Sequence, residues 1–66
     1  MDSGISAIER AFQLARSGRV KDIDEVRRVL RDEGYDARQL QGPSLLKQLR
    51  DAIKIAWASA HAPGKS

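Results

Sequence analysis

Asp22-Ile23-Asp24-Glu25-Val26-Arg27-Arg28-Val29-Leu30-Arg31-Asp32-Glu33-Gly34-Tyr35 contains a start signal, an apolar stripe and a stop signal for one helix. Asp22 and Glu25 have the Asp-x-x-Glu spacing that satisfies free backbone N–H groups at a helix start, and Asp24 adds negative charge where the helix dipole favours it. Ile23, Val26, Val29 and Leu30 recur at helical spacing, so one face is apolar and the arginines face away from it. Gly34 can take the left-handed conformation that ends a helix, and Tyr35 can fold back onto the stripe. Asp24 and Arg28 are spaced for an i,i+4 ion pair. The reading is a helix over 23–33.

The same logic extends outward in both directions. Toward the N-terminus, Ile5, Ile8, Phe12 and Ala15 share a face, Ser3 is a plausible N-cap and Gly18 a terminator, which gives a helix over about 4–17. Toward the C-terminus, Asp36-Ala37-Arg38-Gln39 has a weaker capping pattern, so an extra helical turn is expected within 37–41. Gly42-Pro43-Ser44 then restarts the chain, because proline fits the first turn where its missing N–H costs nothing. A third and longest helix is expected over about 44–61. Its seam is Leu46, Leu49, Ile53, Ala56 and Ala60, flanked by Leu45, Ala52 and Trp57. Residues 62–66, Ala-Pro-Gly-Lys-Ser, read as a flexible C-terminal tail.

The expected architecture is therefore all-α, a compact three-helix domain occupying residues 1–66. Its expected core is Ile5, Ile8, Phe12, Ile23, Val26, Leu30, Leu46, Leu49, Ile53 and Trp57, with Tyr35 capping it and Leu40 filling the gap between the second and third helices. The 66 residues hold 41% hydrophobic and 32% charged side chains, a balance typical of a folded helical domain. A core this small supplies only about 3–5 kcal/mol, so efficient packing or self-association is needed. Cysteine is absent and histidine occurs once, at His61, which leaves neither disulfides nor a structural zinc site to help. No signal peptide and no stretch of membrane-spanning length is visible, so the cytoplasm is the expected location and no membrane partner is expected.

No catalytic constellation is visible. The glycines are scattered singly rather than gathered in a phosphate loop, His61 lacks a neighbouring nucleophile and orienting carboxylate, and the acidic residues of the second helix are interleaved with arginines. The expectation is a protein that is not an enzyme, with no catalytic residues, no metal site and no cofactor.

Charge and apolar excess are the remaining functional signals. Net charge is +3; residues 1–21 sum to +2, residues 22–42 to −2 and residues 43–66 to +3. One reading is an acidic middle helix between two solvated basic ones; the other is a binding patch. The end of the third helix carries apolar side chains around most of its circumference, and Ile55, Trp57 and Ala58 are candidate interface residues for a protein partner or a second copy of the chain. The bland alternative is a core tryptophan with Ile55 partly exposed. Lys47, Arg50 and Lys54 form a basic stripe at i, i+3 and i+7. With Gln48, and with Arg16 and Arg19 from the first helix and its exit, they are the candidate nucleic-acid-binding residues of a helix-turn-helix reading. The leading expectation is a small interaction module acting through protein–protein contacts, with a partner protein or with a second copy as a homodimer; the alternative is a helix-turn-helix-like nucleic-acid-binding regulatory protein.

Two resemblances accompany these readings. Asp24-Glu25-Val26 through Leu30, followed by Asp32-Glu33-Gly34-Tyr35-Asp36, resembles the helix-two end of arginine-repressor-type winged helix domains, where an acidic-Gly-aromatic corner precedes the recognition helix. That likeness spans about residues 24–50 and implies DNA binding; the chain departs from it at Gly42-Pro43 and has no strands after the third helix to form a wing. Over about residues 7–50 the chain is similar to short uncharacterised bacterial helical proteins. The residues that carry this are Ala11-Phe12 through Ala15-Arg16-Ser17-Gly18, the segment ending in Glu33-Gly34-Tyr35, and Gly42-Pro43-Ser44-Leu45 through Gln48-Leu49. This second likeness implies a compact helical fold and a bacterial cytoplasmic source, and it transfers no functional residues.

Overall fold

The computed structural model describes residues 5–61. It is all-α: α1 (Ala7–Ser17), α2 (Ile23–Asp32), one 3₁₀ turn (Ala37–Gln39) and α3 (Pro43–Ala60). The cap expected at Ser3, the helix start expected at Gly4 and the tail expected over 62–66 lie outside the described residues.

Each boundary has a chemical cause. Ser6 caps α1: its hydroxyl accepts the Glu9 N–H at 3.1 Å, and the Glu9 carboxylate accepts the Ser6 N–H at 3.4 Å. Two orphan donors are satisfied reciprocally, which fixes the helix start about three residues later than the sequence reading placed it. Gly18 ends the helix at φ 77°, and the Ser17 hydroxyl pins the exit by donating to the Leu14 carbonyl at 2.7 Å and accepting the Arg19 N–H at 3.0 Å. Asp22 caps α2 as expected, accepting the Glu25 N–H at 2.9 Å, but the Glu25 carboxylate reaches past it to the Lys21 N–H at 2.9 Å. The end of α2 is a Schellman motif. Gly34 sits at φ 91° and donates to the Arg31 carbonyl, and Tyr35 donates to that of Leu30. Asp36 caps the 3₁₀ turn, which stops at Gln39. Pro43 occupies the first position of α3, and His61 is its C-cap residue.

Alanine decides how the layers pack. The most intimate pair is α1 with α3, while α2 touches α3 over a smaller area and lies mainly against α1 and the 3₁₀ turn. Ala7, Ala11 and Ala15 are buried along α1, with Leu14 beside them, and a ridge of small side chains lets another helix approach closely. The expected face of Ile5, Ile8, Phe12 and Ala15 is corrected accordingly. Ile8 and Phe12 pack partly exposed at the margin of the core, Ile5 is also only part-buried, and the true face is rotated toward the alanines. The large residues draw attention in the sequence, but the closest helix contact selects the small ones.

The core that results consists of Ala11, Leu14, Ala15, Val20, Ile23, Val26, Leu30, Leu40, Leu49 and Ile53. Leu40 is 2% exposed and belongs to this core, and Tyr35 packs against the cluster. Leu46 and Trp57, expected in the core, are only part-buried. Across the bundle, Arg10 of α1 grips Glu33 at the end of α2 with two parallel hydrogen bonds, Nε to Oε1 and Nη2 to Oε2, both 2.8 Å. Asp24 pairs with Arg27 at 3.8 Å rather than with Arg28, and Arg27 also donates to the Leu40 carbonyl at 3.3 Å.

Candidate interaction surface

The exposed surface of α3 carries four of the residues singled out for nucleic acid, Lys47, Arg50 and Lys54 along one side and Gln48 on a flank. Lys47 is held by Asp51, Nζ to Oδ2 at 3.1 Å, one helical turn along the same face. Arg50 and Lys54 have no ion-pair partner among the described residues. They stand instead at the rim of a shallow recess between the start of α2 and the second half of α3. Ile23, Ile53, Trp57 and Ala58 line its apolar part, and Lys21 supplies a third cation from the loop before α2.

Trp57 is anchored in that recess. Its ring stacks on His61 with centroids 3.7 Å apart and planes 23° from parallel. His61 in turn places Nε2 3.3 Å from the Gly18 carbonyl. Gly18 itself is pressed against α3: a Cβ there would lie 2.8 Å from the Ala60 Cβ and 3.3 Å from the Ala56 carbonyl oxygen. The exit of α1 and the last turn of α3 are thus locked together directly behind the aromatic pair.

Ile55 lies elsewhere. Residues two apart on a helix point about 160° away from each other, so Ile55 and Trp57 occupy opposite flanks of α3. Ile55 is 68% exposed and borders a second recess, lined by Ala52, Ala56, Ser59 and Ala60 of α3 and by Arg16 and Ser17 of α1. The three candidate interface residues therefore do not form one patch: Trp57 and Ala58 face the recess with the three cations, and Ile55 faces α1. Arg16, grouped with the basic stripe in the sequence reading, is on the Ile55 side, its guanidinium 5.6 Å from the Phe12 ring centroid. Arg19 is exposed in the loop after α1.

A third concave region was not expected from the sequence. Arg27 and Arg31 on α2 face Tyr35, Arg38 and Gln39 across a hollow. Arg38 is paired there with Asp36, Nε to Oδ1 at 3.1 Å, and hydrogen bonding from Arg38 lowers the Asp36 carboxyl pKa. The Arg10 fork acts likewise on Glu33, holding its carboxyl below the usual range chiefly by hydrogen bonding.

The chain matches no family model, no curated protein and no solved structure. The likeness of residues 24–50 to the arginine-repressor corner therefore rests on the quoted residues alone. Two geometrical facts bear on it. The helix-turn-helix unit joins its two helices by a turn of about three or four residues, whereas here the chain from Glu33 to Gly42 intervenes and includes a 3₁₀ turn of its own. The second and third helices of this chain also share only a minor contact. Among the described residues, no cluster of three or more His, Asp or Glu side chains could hold a metal ion, and no helix is long and apolar enough to cross a membrane. Lys21 is the functional candidate the sequence reading missed. It lies in a loop outside every helical period, and only the packing of α2 against α3 brings it beside Arg50 and Lys54.

Proposed function

We propose that this chain is a small cytoplasmic interaction module, without enzymatic activity, that works through protein–protein contacts made by the second half of α3. The observation that carries this reading is the recess around Trp57. It combines a large, part-buried aromatic ring with the exposed Ala58 and a polar rim, an aromatic-centred composition typical of binding hot spots. The exposed Ile55 on the other flank adds a second apolar surface, as expected if α3 is gripped from more than one side.

A random-peptide selection against the folded domain tests the reading, with selected sequences mapped by amide NMR. Sedimentation velocity over a wide concentration range runs beside it to detect self-association. The reading expects selected peptides, or the dimer contact, to perturb residues 50–60. A strictly monomeric chain from which no peptide is selected above background would sink it.

The alternative, a helix-turn-helix-like nucleic-acid-binding protein, draws support from one observation: Lys47, Arg50 and Lys54 are exposed along one side of α3, with Gln48 exposed on its flank. Under that reading a short duplex shifts residues 44–54 at low salt, and the shifts fade as salt rises, because phosphate contacts release counterions.

A further inference from the structure

We infer that the recess between α2 and α3 receives an acidic amphipathic segment of a protein partner, with an apolar anchor laid over Trp57 and carboxylates meeting Lys21, Arg50 and Lys54. This rests on the interaction reading above and specifies the partner's chemistry.

The first argument is uncompensated charge. Arg10, Arg27, Arg38 and Lys47 each have a carboxylate partner within the chain. Lys21, Arg50 and Lys54 converge on one recess and have no such partner among the described residues. The single carboxylate lining that recess, Asp22, is oriented by the Glu25 N–H at 2.9 Å as the α2 cap, which leaves three cations against one anion. Three like charges around a concave, partly apolar surface give a focused positive field that steers and selects a negative partner.

The second argument is the floor. The part-buried Trp57 ring and the exposed Ala58 offer apolar surface beside the cations, over the buried Ile23 and Ile53 of the core. A phosphodiester backbone has no side chain to bury there, but a peptide does. Asp51, on the same face beside Lys47, further disfavours a continuous track of phosphates.

The third argument is spacing. From Arg50 to Ala58 the recess runs along about two helical turns. Arg50 and Lys54 are one turn apart, so carboxylates spaced i, i+4 on a helical partner, separated by about 5–6 Å, match them. An amphipathic helix laid into a groove with anchors at i, i+4 and i+7 is an established mode of recognition.

The test uses Trp57, the only tryptophan of the chain, as its own reporter. Three synthetic amphipathic peptides of about four turns share the same leucine positions and carry glutamate, glutamine or lysine on the flanks. Each is titrated into the full chain while Trp57 emission is followed, and a short DNA duplex is titrated in parallel. The inference expects the glutamate peptide to bind at least about tenfold more tightly than the glutamine peptide, with affinity falling as salt rises. It also expects the variant with Lys21→Glu, Arg50→Glu and Lys54→Glu to prefer the lysine peptide; the three side chains are exposed, and circular dichroism verifies the fold. Equal binding of the glutamate and glutamine peptides at Trp57 would overturn the acidic preference while leaving the interaction reading intact. If no peptide moves Trp57 emission up to about millimolar concentration the inference falls, and if the duplex moves it instead the interaction reading falls with it.

Discussion

Replacing Gly18 by alanine separates two effects that a glycine at a helix end usually confounds. Gly18 and Gly34 both sit at positive φ, 77° and 91°, where a Cβ costs about 1–2 kcal/mol. The restricted unfolded chain returns part of that, since alanine has fewer conformations to lose. Gly34→Ala meets nothing within 4 Å of the added atom, so its net cost should be about 1 kcal/mol. Gly18→Ala adds a methyl 2.8 Å from the Ala60 Cβ, well inside the roughly 3.5–4.0 Å of comfortable carbon contact. A methyl has no rotamer with which to escape, so α1 and α3 must separate, at the further cost of about 1–3 kcal/mol typical of overpacking. The sum is about 2–4 kcal/mol, against a total of about 3–5 kcal/mol for so small a core. Thermal denaturation followed by circular dichroism should show Gly34→Ala melting about 4–8 °C below the parent chain. Gly18→Ala should melt at least twice as far below, or be partly unfolded at room temperature. Adding Ala60→Gly to Gly18→Ala should recover part of the loss, because it removes the contacted methyl. Equal losses for Gly18→Ala and Gly34→Ala, within about 0.5 kcal/mol, would refute the claim that the α1 exit is pressed against α3.

Three further outcomes follow from the contacts described. Ser6→Ala removes the hydroxyl half of the α1 capping box and should cost about 1 kcal/mol in urea denaturation, whereas Ser17→Ala, which leaves that box intact, should not reproduce the change in Glu9 amide protection. The lowered pKa of Glu33 means its bond to Arg10 stabilises the fold fully above the ordinary glutamate pKa of about 4.3 and is lost as pH falls through the lower folded value. Glu33→Gln should therefore melt lower than the parent at neutral pH and lose less stability on acidification, and parallel pH profiles for the two chains would contradict this. Replacing Lys47, Arg50 and Lys54 together by alanine should leave the fold unchanged by circular dichroism. If the nucleic-acid reading holds, it should abolish salt-sensitive duplex binding; duplex binding that survives rules that face out.

What could be read from the sequence was local. Asp22 and Gly34 bracket α2 because capping and left-handed termination are properties of a few neighbouring residues, and Pro43 marks the start of α3 for the same reason. The α1 cap was legible too: Ser6 has Glu9 three residues on, the complete box, whereas Ser3 has only Ser6 at that spacing. Reading the earlier serine as the cap displaced the helix start. The buried face of α1 was harder, since Ile8 and Phe12 outweigh Ala7 and Ala11 on any hydrophobicity count, and only the approach of α3 reveals that small residues hold the closest position. Long-range contacts such as that of Arg27 with the Leu40 carbonyl, thirteen residues away, have no local signal. The candidate site was legible only in half: Arg50, Lys54 and Trp57 share a helix, but Lys21 joins them by tertiary packing and Ile55 leaves them by helical geometry.

The intimate pairing of the first helix with the last has a consequence for how the chain comes into being. During synthesis α1 and α2 emerge before the helix that covers the alanine ridge, and at about 5–20 residues per second the 18 residues of α3 take about one to four seconds to appear. Throughout that interval Ala7, Ala11 and Leu14 have no lasting cover, and the early helices can only flicker, since segments this short are marginal alone. Collapse must then occur as a single late event, when the last turn of α3 reaches Gly18. A nascent chain interrupted before Ala56 should accordingly remain sensitive to protease along its whole length, rather than protecting α1 and α2 in order of their translation.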